Sequence, residues 1–202
     1  MRIGLYRGNF SPIHQGHLAA VKACMEQMWL DVLYVLPSAS APGDANAWQR
    51  MKMCELAFEG TDGVLISDYE VRRADQSSLV DTLRAFSGDE HRLFLLMGTD
   101  ELLGLGEQPD VAEIFALSYP VYMRREGSDP ILDARIVAKI SEYQQKYGKV
   151  VRRIVGDAVV ASGKTIRTAL ASGQRVSHML TPAVENYIRE NSLYKTQGGV
   201  AK

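Results

Sequence analysis

Short apolar runs alternate with longer amphipathic segments along most of this chain of 202 residues, and that alternation restricts its fold more than any other feature. Some runs, such as LFLLM at 93–97, are apolar on both faces, which is typical of strands covered by helices on both sides of a parallel sheet. The pattern therefore predicts a doubly wound α/β fold with a parallel sheet. The predicted strands are 3–6, 32–36, 64–67, 93–97, 120–123 and 150–155.

The covering helices are predicted by amphipathic segments near 17–28, 48–58, 78–86, 110–117 and 130–147. Beyond residue 156 the pattern is helical only. Ser162 is a suitable N-cap for a helix that stops at Gly173, and Thr181 with Pro182 predicts the start of another. We expect one domain over 1–195, ending in this C-terminal helical segment, and a flexible tail at 196–202.

Charge and cysteine content exclude several classes of function. The 23 basic side chains nearly balance the 24 acidic ones, so binding of nucleic acid by bulk electrostatics is not expected. Cys24 and Cys54 belong to no CxxC pair or Cys/His cluster and are expected in the core, with no metal site. The chain begins directly with a strand, and no apolar run approaches the roughly 18 residues of a membrane span. We expect a soluble, cytoplasmic protein without a membrane partner; a homo-oligomer is possible.

The loop after the first strand, RGNFSPIHQGHL at 7–18, is the first candidate site, because ligands in such sheets bind beyond the carboxyl ends of the strands. Gly8 allows a close turn of the backbone beneath a ligand, and a helix starting near Gly16 offers amide donors to a phosphate. His14 and His17, three residues apart, would project from one side of that helix and form a weakly cationic clamp for a polyphosphate. The alternative is two surface histidines in an ordinary loop.

This stretch resembles the His-x-Gly-His signature of a nucleotidyltransferase superfamily, and within it the chain is most similar to nicotinate mononucleotide adenylyltransferases. That family opens with a strand and Gly-Thr-Phe-Asp-Pro-x-His-x-Gly-His, and here Asn9 and Ser11 replace Thr and Asp. Further similarity at 49–58, 77–83, 93–105 and 162–194 extends the resemblance over most of the chain. The signature positions that match are Gly8, Phe10, Pro12, His14, Gly16 and His17.

The resemblance implies a Rossmann-like fold and transfer of AMP from ATP to the phosphate of nicotinate or nicotinamide mononucleotide, with release of pyrophosphate. It implies that Mg²⁺ bridges the ATP phosphates with few or no direct protein ligands. Because no protein nucleophile is needed, positioning and charge stabilisation supply the rate, through His14, His17 and Arg167. The expected ATP contacts are Gly8, Asn9, Phe10, Gly16, Gly98, Asp100 (at the ribose hydroxyls), Ser162, Lys164 and Ile166.

A second stretch, AVVASGKT at 158–165, looks like a phosphate-binding P-loop. Its two valines favour extended backbone, and residues 166–202 carry no further strand for the Mg²⁺-binding Asp that a P-loop NTPase needs. The resemblance instead assigns it to the family's Ser-Ser-Thr-x-Ile-Arg helix start, with Ser162, Ile166 and Arg167 matching. We expect this helix start to bind phosphate; the alternative is an amphipathic helix with solvated cations.

The acceptor side departs from the family. Residues 41–44 read Ala-Pro-Gly-Asp where the family has Pro-Pro-His-Lys, and the family's Trp near the nicotinate ring is missing around Gln108. The expected acceptor contacts are Arg125, near the acceptor phosphate, and Ser78 and Leu79, which replace a Tyr-Thr pair. Two alternatives stay open: a nucleotidyltransferase with a different phosphate-monoester acceptor, and a nucleotide-binding regulatory protein without an acceptor pocket.

Overall fold

A computed structural model describes residues 1–74, 78–124, 127, 129–156 and 161–195. Its centre is one parallel sheet in the order β3-β2-β1-β4-β5-β6, which confirms the doubly wound prediction and all six predicted strands. The strands are β1 Arg2–Gly8, β2 Val32–Pro37, β3 Val64–Ile66, β4 Arg92–Gly98, β5 Ser118–Met123 and β6 Arg152–Ile154.

The predicted helices are all present, and the structure adds two short ones. The additions, α3 and α5, have five and six residues, too few for an apolar stripe to repeat along the helix. Thr181 caps the last helix and Pro182 is its first residue, as predicted. The helices are α1 Gln15–Gln27, α2 Ala47–Ala57, α3 Tyr69–Arg73, α4 Leu79–Phe86, α5 Thr99–Gly104, α6 Val111–Leu117, α7 Pro130–Tyr147, α8 Gly163–Ala171 and α9 Pro182–Glu190.

Two hydrophobic cores lie on opposite faces of the sheet. Successive side chains of a strand point to opposite faces, so Tyr6 enters the first core and Leu5 the second. The first core is covered by α1, α2, α8 and α9, and the second by α4, α5, α6 and α7. Helices thus cover both faces, which explains why a central strand such as β4 is apolar on both sides from Leu93 to Met97.

The order in which strands are added to the sheet reverses between β1 and β4, which are direct, parallel neighbours. From β1 the chain proceeds outward to β2 and β3, then returns beside β1 and proceeds the other way to β5 and β6. A crevice forms beyond the carboxyl ends of the strands at such a point, and ligands of this architecture bind there. The loops after β1 and β4 are therefore the two that shape the site.

Cys24 and Cys54 are both fully buried in the first core and free of disulfides, as expected of small core residues. Burial raises the pKa of the Cys24 thiol to about 12, which keeps it protonated and unreactive. No helix within the described ranges has the length and apolar character needed to cross a membrane. The predicted tail at 196–202 lies outside the described residues, and the single domain at 1–195 stays a prediction.

Candidate active site

A cleft of about 590 Å³ opens at the carboxyl end of β1, where the topology places it. Three segments far apart in sequence meet there: the loop after β1, the start of α5 and the start of α8. The structure thus brings together most of the predicted ATP and catalytic residues. Those that line the cleft are Gly8, Asn9, Phe10, His14, His17, Asp100, Ser162, Lys164 and Arg167.

The two histidines stack on each other at the start of α1, with ring centroids 3.7 Å apart. His14 is the N-cap rather than a helical residue, and His17 is the third residue of the helix. The backbone N–H of His14 donates to Nδ1 of His17 at 3.1 Å. Nδ1 is therefore unprotonated, so a neutral His17 carries its proton on Nε2 and can donate it to a phosphate oxygen.

Phe10 supports this pair from the core side. Its buried ring meets His17 edge-on, with centroids 5.0 Å apart, and meets Tyr6 at 5.3 Å. A Cβ on Gly8 would lie 3.0 Å from the Phe10 ring, so Gly8 is required by that ring. The structure therefore gives Gly8 a packing reason as well, while its predicted close approach to a ligand stays a prediction.

The start of α8 forms the opposite wall. The Oγ of Ser162 accepts a hydrogen bond from the N–H of Thr165 at 3.1 Å, so Ser162 is the N-cap that its sequence predicts. Nη1 of Arg167 donates to the carbonyl of Ser11 at 2.6 Å and ties α8 to the histidine loop. Gly163 permits this approach, because a Cβ there would lie 2.9 Å from the same carbonyl oxygen. The residues at 158–160, which begin the P-loop-like stretch, lie outside the described residues.

Three residues expected to contact ATP line neither this cleft nor its neighbour. Ile166 is fully buried in the first core, so its side chain packs α8 against the sheet and does not reach a ligand. Gly16 is buried in the first turn of α1. The N–H of Gly98 donates to the Glu101 carboxylate at 2.9 Å, which caps α5. These positions shape the elements that carry the site.

A second cleft of about 730 Å³ adjoins the first and is the candidate acceptor site. Leu79, a predicted acceptor contact, lines it. Ser78 does not: its Oγ accepts from the N–H of Asp81 at 3.1 Å and caps α4. Arg125 lies outside the described residues. No aromatic side chain lines the described part of this cleft, in agreement with the missing Trp. The residues shared by the two clefts are Arg7, Gly8, Asn9, Asp100 and Glu101.

Arg50, a buried arginine of α2, was not among the residues predicted from the sequence. Its Nη1 donates to the Asn9 carbonyl at 2.7 Å, and its Nη2 donates to the Ser38 carbonyl at 2.6 Å. Arg50 therefore joins the loop after β1 to the loop after β2. The available signal was its position three residues before the fully buried Met53, where the apolar stripe of α2 predicts a hydrophobic side chain.

The departures from the family pattern at Ser11, Gly43 and Asp44 lie in one cluster around Tyr194. The Oγ of Ser11 lies 3.0 Å from the Tyr194 hydroxyl, and the Asp44 carboxylate accepts the Tyr194 N–H at 2.9 Å. Gly43 has a φ of +99°, and a Cβ there would lie 2.9 Å from the Tyr194 ring. This loop therefore fastens the C-terminal segment to the site, and the family's Pro-Pro-His-Lys is replaced by a structural contact.

Tyr194 is expected to make stability depend on pH in the alkaline range. Burial raises the pKa of its hydroxyl from 10 to about 12, although the Ser11 hydrogen bond lowers it somewhat. Its contribution is full below pH 10 and is lost as the pH rises toward 12, because the unfolded state ionises first. Chemical unfolding of the wild type should show about 2 to 3 kcal/mol of this loss, which Tyr194→Phe should lack. If the free energy of unfolding fell equally with pH in the two proteins, the assignment to Tyr194 would be contradicted. Burial also raises the pKa values of Tyr122 and Tyr143, but both proteins contain them, so their effects cancel in the comparison.

Comparisons with known proteins agree with this geometry. The model of the cytidylyltransferase-like family matches residues 5–172. A probable nicotinate-nucleotide adenylyltransferase of Geotalea uraniireducens is 30% identical over 214 residues, covering 96% of this chain and 98% of the relative. One of Chromobacterium violaceum is 28% identical over 209 residues, covering 96% and 99%.

Solved structures show the same fold at lower identity. The nicotinic acid mononucleotide adenylyltransferase of Plasmodium falciparum, complexed with APC, matches with a TM-score of 0.74 at 14% identity, covering 96% of each chain. Its complex with NaAD matches with a TM-score of 0.71 at 13% identity, covering 96% of this chain and 97% of that one. The six-stranded parallel sheet and its surrounding helices are thus shared over nearly the whole length.

Proposed function

Since the chain belongs to the cytidylyltransferase-like family and, within it, to the nicotinate-nucleotide adenylyltransferases, we propose that it transfers AMP from ATP to the phosphate of nicotinate mononucleotide in NAD biosynthesis. An oxygen of the acceptor phosphate attacks the α-phosphorus, the bond from that phosphorus to the β-bridging oxygen breaks, and pyrophosphate leaves. No protein nucleophile takes part. The observation that carries the proposal is the meeting of the stacked His14–His17 pair and the capped start of α8 across one cleft.

In this reaction the protein stabilises charge that moves onto the leaving pyrophosphate. The Nε2–H of His17 donates to a phosphate oxygen near the α-phosphorus, and the stacked His14 fixes the plane of that ring. The N-terminus of α8, Lys164 and the remaining nitrogens of Arg167 hold the β- and γ-phosphates. His17, Ser162 and Arg167 are held by hydrogen bonds within the protein before ATP enters, which reduces the reorganisation needed in the transition state.

We propose that Mg²⁺ enters with ATP and is held chiefly by its phosphates. Within the described ranges no three His, Cys, Asp or Glu side chains cluster as a metal site would require, and the carboxylates among the described residues that line the cleft are Asp100 and Glu101. This donor set fits an ion that keeps its waters and phosphate ligands. The ion supplies charge neutralisation. The cytoplasmic location and a homo-oligomer stay predictions.

A panel of phosphate monoesters tests the proposal. Pyrophosphate release from ATP and Mg²⁺ is measured with nicotinate mononucleotide, nicotinamide mononucleotide, phosphopantetheine and a simple sugar phosphate. We expect the highest kcat/KM with a pyridine mononucleotide. Preference for another monoester would contradict the proposed acceptor but support the proposed adenylyl transfer. No pyrophosphate release with any of them would favour the regulatory alternative.

Asp100 is expected to contribute more to the binding of ATP than to the binding of the acceptor. Its carboxylate is exposed at the start of α5 beside the cleft, where it can accept hydrogen bonds from ribose hydroxyls. Asp100→Ala should raise the KM for ATP about tenfold with a much smaller change in the KM for the acceptor. Asp89→Ala, exposed before β4 at the opposite end of that strand, is the matched control. Equal changes in both KM values, or none, would remove the ribose assignment.

A further inference from the structure

Arg7 occupies the boundary between the two clefts. It is the penultimate residue of β1 and lines both of them. Side chains alternate along a strand, so Arg7 shares the face of Leu5, which belongs to the second core. That is the face on which Leu95 and Met97 line the second cleft. The side chain therefore leaves the sheet on the acceptor side, at the point where the acceptor meets ATP.

The Arg7 guanidinium is held in place by two helices. Its Nε donates to Oε1 of Glu70 at 2.5 Å, and Glu70 of α3 is only 2% exposed. The same oxygen accepts the Thr82 hydroxyl of α4 at 3.0 Å. A buried carboxylate is costly unless it is paired, so the Arg7 cation stabilises the Glu70 charge. Pairing through Nε leaves the two Nη groups, a planar fork suited to a phosphate, on a side chain that is 36% exposed.

The charges of the second cleft single out the same residue. Among the described residues that line it, Arg7 is the one lysine or arginine, beside the carboxylates of Asp100, Glu101 and Glu107. A phosphate monoester is a dianion and has to approach the ATP phosphates, so its site needs a cation at the near end of the cleft. Arg7 is the group in the described part of the cleft that meets this requirement.

We propose that Arg7 binds the acceptor phosphate and directs one of its oxygens toward the α-phosphorus, with Glu70 and Thr82 as positioning residues. This inference rests on the proposed function and names a residue that holds its second substrate, beside the predicted contact of Arg125. Arg7 neutralises the repulsion between two anionic substrates, and Glu70 fixes the rotamer in which the fork faces the boundary. Arg7 immediately precedes the glycine of the signature.

Steady-state kinetics with separate variation of ATP and nicotinate mononucleotide tests this, together with calorimetric titration of nicotinate mononucleotide. Arg7→Ala should raise the KM and Kd for the acceptor about 10- to 100-fold and change the KM for ATP less than about threefold. The double variant Arg7→Ala/Glu70→Gln also removes the buried charge and is the variant to use if Arg7→Ala does not fold. Arg72→Ala, an exposed arginine of α3 paired with Asp68 and outside both clefts, is the control and should leave both KM values unchanged.

Glu70→Gln distinguishes positioning from a purely structural role. Alone it should raise the acceptor KM by a smaller factor, and in the double variant it should add nothing to Arg7→Ala, because Glu70 acts through Arg7. A folded variant without Arg7 that binds the acceptor as tightly as the wild type would overturn the inference. So would a similar rise in the KM for ATP. If the wild type forms no product with any acceptor, the proposed function fails, whereas titration of nicotinate mononucleotide into wild type and variant still decides the role of Arg7.

Discussion

His17→Ala is expected to lower kcat by roughly 100-fold or more, the usual effect of removing one donor from a developing charge. The structure supplies the reason, because Nδ1 accepts the His14 N–H, so a neutral ring carries its proton on Nε2, and His17 lines the cleft. The melting temperature should stay near that of the wild type, since His17 is only half-buried. Steady-state rates at saturating ATP and thermal unfolding together measure both effects.

The His17→Asn variant distinguishes the role of Nδ1 from that of Nε2 in the His17 ring. The Asn side-chain oxygen can accept the His14 N–H in place of Nδ1, so the start of α1 keeps its hydrogen bond while Nε2 is removed. We expect the kcat of His17→Asn to be as low as that of His17→Ala. Near-normal rates for Asn beside a slow, unstable Ala variant would show that the histidine matters for the helix start and not for the transferred charge.

Arg167→Ala is expected to be nearly as damaging, with kcat/KM reduced roughly 100-fold. It removes a phosphate fork and also the bond from Nη1 to the Ser11 carbonyl that holds α8 against the histidine loop. Lys164→Thr should keep activity within about tenfold, at a cost of ~1 kcal/mol in ATP affinity for one exposed charge. Arg167→Lys, which keeps the charge without the fork, should fall between the two.

This order of effects separates a capped helix start from a P-loop. In a P-loop the lysine contacts the transferring phosphates directly, so its loss is the more severe. A dead Lys164→Thr beside an active Arg167→Ala would overturn the assignment of α8. Steady-state kinetics of the three variants, with circular dichroism to check folding, gives the comparison.

The elements that carry a long periodic pattern could be predicted from the sequence. Apolar runs gave all six strands, and the cap of α8 followed from Ser162 alone, because N-capping is a local property. The five-residue α3 could not be predicted in this way, yet it carries Glu70. Its existence depends on packing against β2 and on the pairing of that carboxylate with Arg7, and both partners are distant in sequence.

The site was predicted where chemistry is local and missed where it depends on tertiary contacts. His14 and His17 lie as the spacing suggests, although the first is a cap and not a helical residue. Ile166 matches the family motif but packs in the core, since a motif does not distinguish a residue that binds from one that supports. The hydrogen bonds of Arg50 to two loops also depend on tertiary contacts, because its carbonyl partners come from other parts of the fold.

The tie between Arg167 and the Ser11 carbonyl also bears on how the protein is made. The histidine loop is synthesised well before its partner in α8, which lies more than 150 residues later, and Tyr194 closes on Ser11 later still. The strands β1 to β5 can pair while synthesis continues, since their contacts lie entirely upstream. We therefore expect a nascent chain to gain its sheet well before the predicted triphosphate clamp, and to bind nucleotide only when α8 and α9 dock.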